Sequence, residues 1–210
     1  MTSSSTSFCG LYVITDDRFT PGEKLLPAVS AAIQGGARLV QYRNKSPGQT
    51  SREQQARGLL QLCHDHEVPL IINDDVGLAA AIGADGVHLG EEDMALEEAR
   101  VRLGPRAIIG ISCHDSLDLA IRAAHAGADY VAFGSFFASP TKPQAVRAPV
   151  SLLESARQTV NVPICAIGGI TPENGAGLVK AGAHMLAVIS GIFAQPDIAA
   201  AARRYAQLFT

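Results

Sequence analysis

Cationic side chains gather in two short segments of the chain. The first reads Gln41-Tyr-Arg43-Asn-Lys45, and the second, Ser139-Pro-Thr-Lys142, ends in a lysine. Guanidinium and ammonium groups bind phosphate and diphosphate oxygens, and arginine can do so through two parallel hydrogen bonds. Any one of these cations could be an ordinary solvated surface residue. Taken together, Arg43, Lys45 and Lys142 predict a site for a phosphate or diphosphate.

Carboxylates follow in two further segments. One reads Ile72-Asn-Asp74-Asp75, and the other runs from Gly90 through two glutamates to Asp93. Mg²⁺ prefers hard oxygen ligands and is usually held by one or two carboxylates together with substrate phosphates. We therefore predict a magnesium site at Asp74 and Asp93, whereas Asp75 could simply cap the helix that follows it.

Two turns made of small residues are further candidates for a binding site, beside the cations and the carboxylates. Gly168-Gly169 and Ser190-Gly191 are each preceded by an apolar run. Such turns let backbone N–H groups approach a phosphate, although a glycine pair alone is weak evidence. Two anion sites beside one metal indicate a diphosphate substrate and a second ligand that carries a single phosphate.

The elements that position these residues are marked by a repeat. A Gly-Ala pair followed by an apolar stretch recurs at intervals of about 45 to 55 residues, starting at Gly36, Gly83, Gly127 and Gly182. Each pair closes an alanine-rich helical pattern, where a left-handed glycine cap is favoured. The apolar stretch after each pair reads as a strand.

Four more apolar runs interleave with the repeats and give eight predicted strands. Single helical patterns separate them, which predicts parallel βαβ units. Eight units of about 26 residues fit a single (β/α)8 TIM barrel, with a doubly wound open sheet as the alternative. The strands are predicted near 11–15, 38–42, 69–73, 86–89, 107–112, 130–134, 163–167 and 185–189, and helices near 52–66, 95–103, 117–125, 151–160, 172–180 and 198–208.

In such a barrel, the carboxyl ends of the strands form the active site. The cations, carboxylates and glycine turns all follow predicted strands, so we expect them to converge on one face. Two histidines have open roles: His88 lies inside strand 4 and could be a core residue, and His114 lies at the end of strand 5.

Composition narrows the class of protein. The 210 residues carry 17 basic and 20 acidic side chains, a formal net charge of −3, and 47% are hydrophobic. This balance argues against nucleic acid or a membrane surface as partner. We expect a cytoplasmic enzyme with a disordered tail at 1–7 and one catalytic domain over 8–210; a homo-oligomer is possible.

The four cysteines carry no metal or disulfide pattern. They are widely scattered, and none belongs to a Cys-x-x-Cys pair. Cys113 directly precedes His114, but neighbours on a strand point to opposite faces, so this pair is poorly placed for nucleophilic catalysis. We expect Cys113 to be a buried or half-buried free thiol.

The motifs, taken in order, resemble the thiamine-phosphate synthase family. The resemblance runs from Leu11 to about Ile192, and its strength lies in the order and spacing of motifs that are modest singly. The motifs are Gln41-x-Arg43-x-Lys45, Ile72-Asn-Asp-Asp75, the stretch from Gly83 to Asp93, Ser139-x-Thr141-Lys142, Ile167-Gly-Gly-Ile170 and Ile189-Ser190.

The resemblance implies a Mg²⁺-dependent (β/α)8 transferase. It would join hydroxymethylpyrimidine diphosphate to a thiazole phosphate (or its carboxylated form), giving thiamine phosphate and pyrophosphate. Asp74 and Asp93 would bind Mg²⁺, and Arg43, Lys45 and Lys142 would be catalytic. The pyrimidine diphosphate would be held by Gln41, Arg43, Lys45, Asn73, Ser112 and Lys142, and the thiazole phosphate by Ser139, Thr141, Gly169, Ile189 and Ser190.

The sequence departs from the family pattern in one segment. The family often has Gly-Pro and then Thr-x-Thr-Lys, whereas this chain has Gly134-Ser135 and Ser139-Pro140-Thr141-Lys142. Serine can donate the same hydrogen bond as threonine, while Pro140 stiffens the loop.

Two other functions compete with the synthase. A thiazole tautomerase of the same fold would transfer a proton, with His114 as acid or base, but would not need the cations and carboxylates of the diphosphate site. A non-catalytic phosphate sensor would keep the cations without a metal pair.

Overall fold

Short hydrophobic strands alternate with single helices along the whole described chain. The structure, a computed structural model, describes residues 8–45, 49–138 and 146–210. The predicted disordered tail at 1–7 lies outside these residues, as do Ser139, Thr141 and Lys142. Within the described ranges, no helix is long and apolar enough to cross a membrane.

Eight parallel strands close into a barrel in which each strand pairs with its sequence neighbours and β8 pairs with β1. This confirms the predicted (β/α)8 fold. The strands are β1 (Gly10–Ile14), β2 (Ala37–Tyr42), β3 (Leu70–Asn73), β4 (Gly86–Leu89), β5 (Ile108–His114), β6 (Tyr130–Phe133), β7 (Ile164–Ile167) and β8 (Met185–Val188).

Helices cover the outside of the barrel. The predicted helices are found, and a short one directly after β8 is an addition that the sequence pattern did not reveal. The helices are α1 (Leu25–Gln34), α2 (Gln49–Asp65), α3 (Val76–Ile82), α4 (Leu96–Leu103), α5 (Leu117–His125), α6 (Ser151–Thr159), α7 (Pro172–Ala181), α8 (Ser190–Phe193) and α9 (Ile198–Ala206), with 3-10 turns at Gly22–Lys24 and Gln207–Phe209.

The pleat of the strands separates two cores. On β1, Leu11 and Val13 pack outward among the helices, whereas Tyr12 and Ile14 point into the barrel. The outer core is the larger and is built mainly from aliphatic residues. The inner core is narrow, and its upper layer carries polar groups. Side chains alternate between the two faces of each strand, so every second residue points into the barrel. The last of these inward residues on each strand lies at the mouth of the barrel.

The Gly-Ala repeat has a structural role at the opposite end of the barrel. All four repeat glycines have positive φ, as the predicted caps require. In three of the repeats, the side chain that follows the Gly-Ala pair accepts a hydrogen bond from a backbone N–H at the start of the preceding strand. The pairs are Asp85 with Leu70 (2.8 Å), Asp129 with Ile109 (2.8 Å) and His184 with Ile164 (3.1 Å).

His184 makes the third of these contacts sensitive to pH. Its Nδ1 must be unprotonated to accept from Ile164, and burial, followed by the charge of Arg157, lowers its pKa. The unfolded chain binds this proton more readily, so the stabilisation is complete above about pH 6.5 and is lost as the pH falls through the lowered pKa.

We predict that His184→Asp, which copies the other two repeats, flattens the fall in unfolding free energy between pH 7 and 5. The aspartate keeps the acceptor, stays ionised over this range and attracts Arg157. His184→Ala should instead cost about 1–3 kcal/mol at neutral pH, because it leaves the Ile164 N–H without its acceptor. Urea denaturation of the three proteins at both pH values tests this, and parallel pH curves for wild type and His184→Asp would contradict it.

Candidate active site

A cavity of about 210 Å³ opens at the carboxyl ends of the strands. It lies where the barrel fold places active sites. The polar and turn residues on its wall come from nearly every strand end. They are Tyr12, Gln41, Arg43, Asn73, His88, Ser112, His114, Ser135, Gly168, Gly169, Ser190 and Gly191, and the apolar wall includes Ile14, Ala132, Cys165, Ile167, Ile170 and Ile189.

Seven of the predicted site residues line this cavity. They divide between two parts of the wall, one formed by β2, β3 and β5 and the other by the turns after β7 and β8. The first part holds Gln41, Arg43, Asn73 and Ser112, and the second holds Gly169, Ile189 and Ser190. Their predicted roles stay predictions.

The predicted metal ligands lie together beside the cavity. The Asp74 carboxyl is close enough to that of Asp93 that burial, followed by this neighbour, raises the pKa of Asp74. Lys45 and Arg43 act in the opposite direction, which places both cations near the acidic pair. Asp93 is held in place by the Gly90 N–H, which donates to its Oδ2 over 2.6 Å.

This arrangement fits Mg²⁺. Two crowded carboxylates repel each other, and a divalent cation between them would relieve that repulsion. Within the described ranges, no three His, Cys, Asp or Glu side chains form a metal-binding group. Two carboxylates are nevertheless sufficient for Mg²⁺, which takes its remaining ligands from substrate phosphates and water.

Asp75 does not belong to the acidic pair. Its Oδ1 accepts from the backbone N–H of Leu78, so it caps α3, and its Oδ2 pairs with Arg52 at 3.0 Å. Asp75 is therefore a helix cap, the role that the sequence had left open for it.

Arg43 is held by two residues that the sequence reasoning missed. The Arg43 N–H donates to Thr15 Oγ1 at 2.9 Å, and its Nη1 lies 3.2 Å from Asp16 Oδ2. Asp16 is 2% exposed; its burial raises the pKa, but hydrogen bonds from Arg18 and the charges of Arg18 and Arg43 more than offset this and lower it. Thr15 and Asp16 follow β1, so examining the end of the first strand as well would have found them.

Neither cysteine near the cavity is a nucleophile. Cys113 points into the outer core, and its burial raises the pKa of the thiol to about 12. Cys165 lines the cavity, but burial raises its pKa even further. Both thiols are therefore protonated near neutral pH, and Cys113 is the buried free thiol that the sequence analysis expected.

His114 lies at the rim of the site in an unusual backbone conformation. Its φ is 50°, and a bulge between Ser112 and His114 shifts the register with β6. Both residues line the cavity wall, as residues two apart on one strand can, because their side chains lie on the same face.

Several known proteins similar to this chain are thiamine-phosphate synthases. The family model for thiamine monophosphate synthase matches residues 11–192. Thiamine-phosphate synthases of Thioalkalivibrio sulfidiphilus and Nitrosococcus oceani are 54% and 53% identical, covering 100% and 98% of this chain and 99% and 94% of their own. The chain belongs to the thiamine monophosphate synthase family. It is accordingly a transferase of thiamine biosynthesis.

Solved structures agree with this assignment. Thiamine phosphate pyrophosphorylase from Pyrococcus furiosus superposes with a TM-score of 0.87 at 34% identity, covering 97% of this chain and 96% of that one. A geranylgeranylglyceryl phosphate synthase from Thermoplasma acidophilum, with a TM-score of 0.72 over 100% and 99% of the two chains, is only 13% identical and shares the fold alone.

The turn after β7 depends on glycine for a reason separate from any ligand. Gly169 has φ of 62°, and a Cβ atom there would overlap the carbonyl oxygen of Ala138 and approach the Cβ of Phe137 to 2.8 Å. Phe137 also donates its N–H to the Gly168 carbonyl over 3.0 Å. The turn therefore packs directly against the segment that leads to Ser139.

We predict that Gly169→Ala destabilises the protein even without substrate. The left-handed conformation costs a non-glycine residue about 1–3 kcal/mol, and the overlap with Ala138 adds to this. Gly177→Ala is the control, since nothing lies within 4 Å of its Cβ position and alanine in a helix should stabilise by about 0.5–1 kcal/mol. Equal unfolding free energies for the two variants would contradict this packing.

Proposed function

We propose that the chain condenses hydroxymethylpyrimidine diphosphate with thiazole phosphate in this cavity. Its strand ends offer a cationic and acidic part beside β2 to β4 and a turn-lined part beside β7 and β8. The single observation that carries the proposal is the convergence of Arg43, Lys45, Asp74 and Asp93 at one edge of the cavity. A one-substrate tautomerase or a phosphate sensor has no need of that arrangement.

In the proposed reaction, the C–O bond of the pyrimidine diphosphate breaks first. Pyrophosphate leaves with the electron pair, and the electron-rich aminopyrimidine stabilises the cation left on its methylene carbon. The lone pair of the thiazole nitrogen then forms the new C–N bond. No enzyme nucleophile takes part, which agrees with the protonated state of Cys113 and Cys165.

The residues of the chain would act on the leaving group by electrostatics. Arg43 and Lys45, with Lys142 from outside the described residues, would stabilise the charge that develops on the diphosphate. Asp16 and Thr15 keep Arg43 oriented before substrate arrives. Mg²⁺ bound at Asp74 and Asp93 would neutralise further charge on the leaving group.

The other substrate would occupy the turns after β7 and β8. Glycine-bearing turns let the backbone approach a ligand closely, which suits a phosphate. Gly169, Ile189 and Ser190 line this part of the wall, and Ser139 and Thr141 are proposed to complete the thiazole phosphate site. The apolar wall beneath excludes water, which would otherwise trap the cation.

We predict that Asp74→Asn raises the Mg²⁺ concentration needed for half-maximal rate at least about tenfold. Substitutions of residues that only orient the metal ligands already lower metal affinity or activity by about 10- to 100-fold. The fold should persist because asparagine tolerates the φ of 62° at this position. Asp75→Asn is the matched control, because asparagine also caps helices. Initial rates at varied Mg²⁺ decide the matter; an unchanged Mg²⁺ dependence in Asp74→Asn would refute the metal assignment.

Two further variants should separate the two substrate sites. Arg43→Ala should raise the Michaelis constant for the pyrimidine diphosphate about tenfold or more, because a charge-assisted hydrogen bond contributes about 1.5–3 kcal/mol. Ser190→Asp should do the same for the thiazole phosphate by placing a negative charge beside it. In Arg43→Ala, Arg18 still pairs with Asp16, so the fold is retained.

The measurement is pyrophosphate release by the purified chain with Mg²⁺ and both substrates. The synthase proposal fails if the wild type releases none. If it is active but both variants raise both Michaelis constants equally, the reaction stands and the division of the site is wrong.

A further inference from the structure

Five polar side chains from five strands form a continuous hydrogen-bonded chain across the barrel interior. Gln41 Nε2 donates to the Tyr12 hydroxyl at 2.7 Å, and the Tyr12 and Tyr130 hydroxyls are 2.9 Å apart. Tyr130 then contacts His88 Nδ1 at 2.9 Å, and His88 Nε2 contacts Ser112 Oγ at 2.9 Å. We call this chain the interior relay; its two ends, Gln41 and Ser112, both line the cavity.

The relay is built into the packing of the barrel. Tyr12 and Tyr130 are at most 1% exposed and lie edge to face, and the His88 ring stacks on Tyr130 at a centroid distance of 5.6 Å. Gly110 makes room for the Tyr130 ring, because a Cβ atom at position 110 would overlap that ring. Burial raises the pKa of both tyrosines, so their hydroxyls stay protonated.

Counting protons gives the relay a direction. With Gln41 as the donor to Tyr12, the assignment that leaves no buried hydroxyl proton unpaired sends the Tyr12 proton to Tyr130 and the Tyr130 proton to His88 Nδ1. A neutral histidine that accepts at Nδ1 carries its proton on Nε2, and it therefore donates to Ser112.

The relay thereby orients the polar group at each of its ends. The Ser112 oxygen is occupied as an acceptor, so its hydroxyl proton remains for a ligand. Gln41 turns its amide nitrogen toward Tyr12, which fixes the orientation of the amide and leaves the carbonyl oxygen on its other side as an acceptor.

We propose that the interior relay fixes Ser112 as a donor and Gln41 as an acceptor, and thereby selects a ring with an exocyclic amino group and an unprotonated ring nitrogen. This rests on the proposed function, for which the aminopyrimidine is such a ring. The amino group donates to Gln41 Oε1, and a ring nitrogen accepts from Ser112 Oγ. Tyr12, Tyr130 and His88 are positioning residues that touch no reacting atom.

The tautomer of His88 tests the direction without any measurement of activity. Nitrogen-15 NMR of the histidine-labelled protein distinguishes Nε2–H from Nδ1–H imidazole, and the His88 signals are identified by their loss in His88→Gln. We expect the Nε2–H form near neutral pH. An Nδ1–H form would reverse the relay and overturn the proposal.

Tyr130→Phe tests the consequence for specificity. It removes one hydroxyl, so His88 loses the donor at Nδ1. We expect a rise of about tenfold or more in the Michaelis constant for the pyrimidine diphosphate and a change of less than about twofold for the thiazole phosphate. Discrimination against a pyrimidine diphosphate that lacks the amino group should also fall, which a loss of stability alone would not cause.

Tyr205→Phe is the matched control. It removes a buried tyrosine hydroxyl that donates to the Ile170 carbonyl at 2.9 Å, outside the relay. We expect it to spare discrimination between the two pyrimidines. The proposal is overturned if Tyr130→Phe and Tyr205→Phe discriminate equally well between the pyrimidine diphosphates with and without the amino group. If the wild-type protein releases no pyrophosphate, the synthase proposal is refuted instead. The His88 tautomer still decides the direction of the relay in that case.

Discussion

Closure of eight parallel strands is the constraint on which the rest of the molecule depends. Once the sheet closes, every second residue of each strand must enter a narrow interior, and its last inward residue must face the mouth of the barrel. Groups that are far apart in the sequence, such as Gln41 and Ser112, consequently share one small cavity. The same closure buries Tyr12 and Tyr130 so completely that their hydroxyls must find their hydrogen-bond partners inside the barrel, and one of these partners is the other tyrosine.

The sequence predicts the framework well because its signals are local. Gly-Ala pairs and apolar runs place strand ends within about two residues, since helix caps and strand burial act on neighbours in the chain. β5 extends to His114 instead of ending at 112, because a bulge lets pairing with Phe133 continue. The four residues of α8 are too few to show a helical period.

What the sequence could not predict is how distant polar side chains pair. Tyr12 and Tyr130 are 118 residues apart and read as ordinary apolar strand positions, and only barrel closure makes them neighbours. Asp16 itself follows a strand end and could have been found there, but its ion pair with Arg43 joins two loops whose proximity depends on the register of β1 with β2. Residue types at strand ends therefore predict which chemistry is present, whereas the positions of supporting groups depend on the tertiary fold.

Charge balance explains why supporting groups are needed at all. Arg43 faces the acidic pair of Asp74 and Asp93 on one side and the buried Asp16 on the other. A guanidinium left to itself could swing to either carboxylate and away from a phosphate. Asp16 occupies Nη1, and Thr15 fixes the backbone, so the remaining nitrogens stay available. Because Asp16 is also paired with Arg18, its charge is shared between two cations, and Arg43 keeps part of its positive charge for a phosphate ligand.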